Sequence, residues 1–311
     1  MFRNKILGVC VAIAMLCVAN NAEAQRWFRT SSLEFGLIGG FSHYSGELTN
    51  EQFFEVQGLK GSVGLITRYT PHESVTFRLS AQYGSLEGDD KWHEDQTDPM
   101  RRDLNFTSSL WDFTGAAEFN FKRIPARQKS GVSPFAFIGA SVFRFNPKSV
   151  FVYDPNSGIA NYQGINYSSL EDRDGEEVEL QPLATEGQET TQNNELERYS
   201  LTQVAVPVGL GIKFKVNHQF TIGVEYGPRI TFTDYLDDVS GAYVEPTQLQ
   251  AQYGAMSAAM AYKTPTVDAN EILDVDNPKL RGNPDNNDLY GIFGVTLTYR
   301  LYGNRAICPT F

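Results

Sequence analysis

Acid–base or metal chemistry in this chain would fall to four histidines, His43, His72, His93 and His218. None lies in an H-E-x-x-H pair, and there is no C-x-x-C, G-x-S-x-G or P-loop. His43 has Ser85, Asp89 and Asp90 as possible catalytic companions, provided the fold brings them together. The run "DYLDD" at 234–238 clusters carboxylates that could hold calcium. Its spacing is not that of an EF-hand loop, so a solvated loop or local turn is the preferred reading. Residues 171–197 hold ten acids and one base, Arg173, which reads as a solvated, mobile surface loop, with cation or partner binding as the lesser alternative. Lys122, Arg123, Arg127 and Lys129 form a basic stretch that reads as contact with inner-leaflet phosphates or as a solubility feature, with docking to a periplasmic partner as the functional alternative. No catalytic, cofactor-binding or metal-binding residues are expected.

The remaining charges stand in a different pattern. Glu34, Arg68, Arg78, Asp112, Glu118, Lys213, Glu225 and Arg300 each lie within a segment of alternating apolar and polar residues. Residues 75–84, "VTFRLSAQYG", show it best: Val75, Phe77, Leu79, Ala81 and Tyr83 alternate with polar or small residues. Strict alternation is a strand signal, because successive side chains point to opposite faces. Eight such segments are predicted: 33–41, 62–69, 75–84, 108–121, 135–145, 199–214, 220–226 and 289–301. In the fifth, Phe135, Phe137, Phe143 and Phe145 oppose Ala136, Ile138, Ala140 and Val142, so its parity is open.

Connections between these segments alternate in length. "TPHE" and "VNHQ" are tight, and 122–133 is moderate, whereas 42–61, 85–107, 146–198 and 227–288 are long. Loops of that length are uncommon inside a compact soluble domain. Short turns on one rim and long loops on the other is the pattern of an outer-membrane barrel. The expected fold is therefore all-β: an antiparallel up-and-down transmembrane barrel of about eight strands, with short periplasmic turns and long extracellular loops. A soluble sandwich or lipocalin-like barrel with solvated charges is the competing reading.

The charges decide which face is which. All eight fall opposite the apolar rows, together with small residues such as Gly36, Gly40, Gly64, Gly209, Gly211 and Gly223. A basic side chain on the lipid face near mid-bilayer costs roughly 2–4 kcal/mol, so the charged rows belong in the lumen. An eight-stranded barrel has room inside only for side chains, and the charges there must pair. Glu34 is expected beside Arg68 and Arg300, Arg78 beside Glu118, and Lys213 beside Glu225, plugging the periplasmic half.

The ends and composition agree with that compartment. Arg3 and Lys5 precede an apolar stretch over 6–18, and "AEA" at 22–24 has the A-x-A form, so 1–24 reads as a signal peptide and 25–311 as the barrel domain. Cys10 and Cys17 leave with the signal, and Cys308 alone cannot form an intrachain disulfide. A net charge of −11 and the lack of a basic stripe argue against nucleic acid as partner.

Several segments also resemble a known family. "FSHYSGELT" (41–49), "SLEGDD" (85–90), "FRFNPK" (143–148), "LQPLATEGQ" (180–188), "TDYLDDVSGAY" (233–243), "RGNPDNND" (281–288) and the terminal "CPTF" resemble Bacteroidota outer-membrane β-barrels, the family that includes PorG of the type IX secretion system. The resemblance implies a non-enzymatic barrel in the outer-membrane lipid, associated with a periplasmic ring lipoprotein and ring protein of type IX secretion. It implies no cofactor and no catalytic residue. An envelope or adhesion barrel acting through its outer loops is the alternative, and a lipid A-modifying enzyme using His43 a lesser one.

Overall fold

Alternating segments bury one face and must satisfy every backbone group by pairing, and closing the sheet on itself does both. The computed structural model describes residues 31–49, 56–93, 102–124, 128–190, 196–267 and 279–301. Arg127, Cys308 and the expected signal segment 1–24 lie outside them. The strands are β1 (Ser32–Ser45), β2 (Lys60–His72), β3 (Val75–Asp89), β4 (Asn105–Asn120), β5 (Gly131–Val150), β6 (Glu177–Glu179), β7 (Thr202–Lys215), β8 (Phe220–Thr231) and β9 (Leu289–Leu301). Among the described residues, eight long strands form one antiparallel sheet, which the β4–β5 pairing closes into a barrel; β6 is a short addition beside β5. The register sets Glu34 opposite both Arg68 on β2 and Arg300 on β9.

The outer wall is apolar. Leu79 is 68% exposed while its neighbour Arg78 is 1% exposed, so β3 turns its greasy row outward and its charge inward. Phe35, Leu37, Leu65, Trp111, Phe113, Phe119, Leu210 and Leu297 share that wall. A continuous apolar belt of this size far exceeds what a soluble monomer exposes, and it is the surface of a transmembrane barrel.

The belt has an upper edge. Above Tyr83, Trp111 and Val142 the outward positions become Ser85 and Glu87 on β3, Ser109 and Thr107 on β4, and Arg144, Asn146 and Lys148 on β5. Tyr83 and Trp111 meet at that edge with ring centroids 4.8 Å apart, as interfacial aromatics do. At 15, 16 and 20 residues, these three strands exceed the roughly 9–11 that a bilayer needs. The surplus rises beyond the belt on the long-loop side.

β5 settles its own ambiguity. Phe135, Phe137, Phe143 and Phe145 are buried, and Ile138 and Val142 are exposed, so here the aromatic row faces inward. Glycines make the room. A Cβ at Gly211 would stand 2.5 Å from the Phe135 ring, and one at Gly209 would strike Phe137.

The described parts of the long loops are not simply solvated chain: 171–177 are exposed, as expected, but much else is buried. They fold into a cap with its own apolar core, in which Phe145, Tyr199, Leu236, Leu249, Met260 and Tyr262 pack together. Two helices build part of it, α1 (Pro246–Tyr253) and α2 (Ala255–Ala261). Glu245 caps α1 by accepting from Gln248 N at 3.1 Å, and Pro246 follows at the first helical position. Within the acidic stretch, Val178, Leu180 and Glu186 are buried, as are Asp237 and Asp238 of "DYLDD".

Candidate functional site

Two concentrations of charge stand out, one in the lumen and one under the cap. In the lumen, Glu118 is the hub. Arg68 Nε donates to it at 3.0 Å, Arg78 Nη1 lies 3.4 Å away, and Lys213 Nζ donates to its other oxygen. Glu225 takes the second contacts of both arginines, at 3.1 Å from Arg68 and 2.8 Å from Arg78. The inward phenylalanines finish the seal: Arg78 lies 4.1 Å above the Phe137 ring and Lys213 4.5 Å above Phe135. Nearer the short-turn rim, Arg300 grips Glu34 at 2.7 Å, and Thr298 donates to Glu34 at 2.9 Å.

Two of the pairs read in the sequence form, Arg78 with Glu118 and Arg300 with Glu34, and two others change partners. Lys213 pairs with Glu118 and Asn120 rather than with Glu225, because the ladder sets Lys213 opposite Gly223. Arg68 sits beside Glu34 in register but reaches across the lumen to Glu118 and Glu225. Asp112 belongs to a second layer, with Arg229 Nε at 3.3 Å and the Tyr290 hydroxyl donating at 2.7 Å. Arg229 was missed because the alternation fades at Tyr226, yet β8 continues to Thr231 and keeps Arg229 on the Glu225 face.

The residues considered as a catalytic group engage other partners, and Ser85 O accepts from the Ser42 hydroxyl at 2.6 Å. His43 Nε2 lies 2.9 Å from the Tyr226 hydroxyl, and the two rings stack. Asp90 is clasped by Arg102 at 2.6 Å and accepts from Leu104 N, and Asp89 caps a single 3-10 turn. Of the basic stretch, Lys122, Arg123 and Lys129 are exposed at the short-turn rim, where Arg123 donates to the Ser74 hydroxyl at 2.8 Å.

Under the cap, Arg281 bridges Glu186 at 3.2 Å and Asp238 at 3.6 Å, and Tyr199 donates to Asp238 at 2.7 Å. Burial nevertheless pushes the Asp238 carboxyl up to about 6, with Arg281 opposing. Beside it lies a second acidic group, Glu47, Asp234, Asp237 and Asp288, on which Arg281 acts only through Asp237 and at longer range. The Tyr44 hydroxyl is 2.7 Å from Asp237 and 2.9 Å from Asp288, with one proton to donate between them. Burial raises all four carboxyls, and their mutual charge raises them further; Glu47 and Asp234 reach about 7. Sequence spacing shows only part of this group, because Glu47 and Asp288 are far from "DYLDD" along the chain.

Comparisons with known proteins add a family. The profile described as "Domain of unknown function (DUF6089)" matches residues 8–163 and 183–263. Among solved structures, Ail, the attachment invasion locus protein of Yersinia pestis, is 11% identical, covering 87% of this chain and 97% of its own, with a TM-score of 0.34. Neisserial surface protein A is 10% identical over 87% and 99%, with a TM-score of 0.38. OprG of Pseudomonas aeruginosa is 9% identical over 87% and 96%, with a TM-score of 0.34. No curated protein matches the chain.

Proposed function

Since the chain belongs to the family Domain of unknown function (DUF6089), we propose from its own geometry that it is a non-enzymatic outer-membrane barrel whose work is binding. The observation that carries this reading is the lumen, filled by Arg68, Arg78, Lys213, Glu118 and Glu225 in mutual contact. A barrel so filled suits an anchor rather than a pore or a slot for an acyl chain. Function then falls to the two rims.

The finer reading is a PorG-like component of the type IX secretion system. The short turns, at 70–74, 122–133 and 216–219, would face the periplasm and dock a ring built of a lipoprotein and a ring protein. Support comes from the family resemblance and from the exposed cations Lys122, Arg123 and Lys129 on one turn. The cap favours a second reading, an envelope or adhesion barrel that binds at the cell surface. Its apolar core and two helices hold the loops together as a packed unit that a partner could meet as one surface.

A photocrosslinker placed at Lys129 and, separately, at Asn161 in living cells separates the two. Capture of ring proteins from Lys129 supports secretion. Capture only from Asn161, with secretion of type IX cargo intact in a deletion strain, would overturn the secretion role in favour of surface binding.

A further inference from the structure

We infer that Glu47, Asp234 and Asp288 bind a calcium ion in the floor of the outer cap. Each contributes a carboxylate oxygen, and these oxygens lie within 4.8 Å of one another. Calcium–oxygen distances of about 2.3–2.6 Å allow ligand oxygens to stand up to about 5 Å apart, so one ion can reach all three. The ligands come from three separate stretches: Glu47 just after β1, Asp234 just after β8, and Asp288 just before β9.

Asp234 supplies independent support. Its side chain is 7% exposed, and neither of its oxygens has a hydrogen-bond donor at normal geometry among the described residues. The Ser240 hydroxyl and the Glu47 carboxyl are its polar neighbours. Buried polar atoms are almost always partnered, and a buried carboxylate facing other carboxylates is costly unless a cation joins them. Glu47 repeats the pattern: Oε1 accepts from Asn283 N at 3.2 Å, and Oε2 has no donor.

Asp288 is held in place by others. Its oxygens accept from the Tyr44 hydroxyl and from Leu236 N, each at 2.9 Å, which leaves a lone pair on each oxygen for a metal. The neighbouring guanidinium groups are committed elsewhere, Arg281 to Glu186 and Asp238, and Arg102 to Asp90. Glu47 also lines a surface pocket, with Thr49, Arg102, Arg281 and Asn283.

The donor set selects the ion. Three carboxylates without nitrogen or sulfur suit a hard cation. Ligands on separate irregular segments suit calcium's flexible shell better than magnesium's strict octahedron. Calcium would then tie the segments after β1 and β8 to the start of β9. This departs from the sequence expectation of no metal ion, which places the candidate cation sites at "DYLDD" and in 171–197; of those residues, Asp234 alone takes part.

The test uses the full mature chain in detergent micelles, stripped with EDTA and titrated with calcium chloride by calorimetry, with thermal unfolding recorded in parallel. The expected result is one saturable ion per chain and a raised Tm. Asp234→Asn and Glu47→Gln should each weaken binding by about tenfold or more, since even outer-shell changes cost metal sites that much. Exposed Glu177→Gln should leave it unchanged. If one variant fails to fold, the other carries the test. Absence of saturable binding, unchanged affinity in a folded Asp234→Asn or Glu47→Gln chain, or magnesium binding as tightly as calcium would each overturn the inference.

Discussion

Glu118 answers three cations with one carboxylate, which makes it the most consequential single residue in the lumen. Glu118→Ala leaves Arg68 and Arg78 to share Glu225 and leaves Lys213 with the Asn120 side chain. Breaking a buried pair by removing one partner costs about 3–5 kcal/mol, because the surviving charge cannot rehydrate. The folded barrel should lose stability of that order in urea unfolding followed by tryptophan fluorescence. Glu34→Gln should cost less, since Arg300 lies at the rim and reaches water. A loss in Glu118→Ala no larger than in Glu34→Gln would mean that the lumen is wet.

Asp238 sets a pH dependence of the opposite sign to the usual carboxylate. Burial lifts it to about 6, so between about pH 4 and 6 the folded cap holds a proton that the unfolded chain has released. Its contribution to stability is greatest at about pH 4 and falls as the pH rises to about 6. Asp238→Asn removes the titration. The difference in Tm between the two chains should therefore move against the wild type across that window and level off above it.

At the scale of the element, parity decides everything. Residue 79 lies midway along the apolar row of β3, which runs from Val75 to Tyr83. Leu79→Arg should destabilise the barrel in lipid vesicles by about 2–4 kcal/mol, whereas Thr107→Arg, above the belt on β4, should change it by at most about 1 kcal/mol. Equal effects at both positions would place the bilayer wrongly. The same parity explains what could be read from sequence. β3 and β4 were legible because each has one apolar face and one polar face. β5 was not, because Phe135 and Ile138 lie on opposite faces and both are greasy; the glycines of β7, with Gly227 of β8, show which ring has room inside. Strand ends were read short for a related reason. Above the belt, residues such as Glu87 and Arg144 point outward, so alternation of hydrophobicity stops before the strand does. The cap escaped the sequence altogether, since its core and its acidic group are assembled from stretches far apart along the chain.

Taken as a whole molecule, the barrel carries two seals in series. The first is the layer of Glu118, Glu225, Arg68, Arg78 and Lys213 with Phe135 and Phe137. The second is Asp112 with Arg229 and Tyr290, where Tyr290 packs on Phe143 with ring centroids 5.1 Å apart. A lumen of eight strands has little width beyond its side chains, so each layer alone should block ions. Purified chain in planar bilayers should therefore show no stable conductance steps. Replacing Arg68, Arg78, Glu118 and Glu225 together by Ala removes two charges of each sign and opens the first layer without changing the net charge. That chain should remain silent, because the second layer and the cap still stand above the opening. In a chain whose Cys308 is replaced by Ser, a cysteine at Thr296, which in the intact barrel hydrogen-bonds Arg68, should nevertheless become reactive to a membrane-impermeant thiol reagent added on the short-turn side. Steady current through the unaltered chain would contradict the seal, and current through the four-alanine chain would show that the first layer holds it alone.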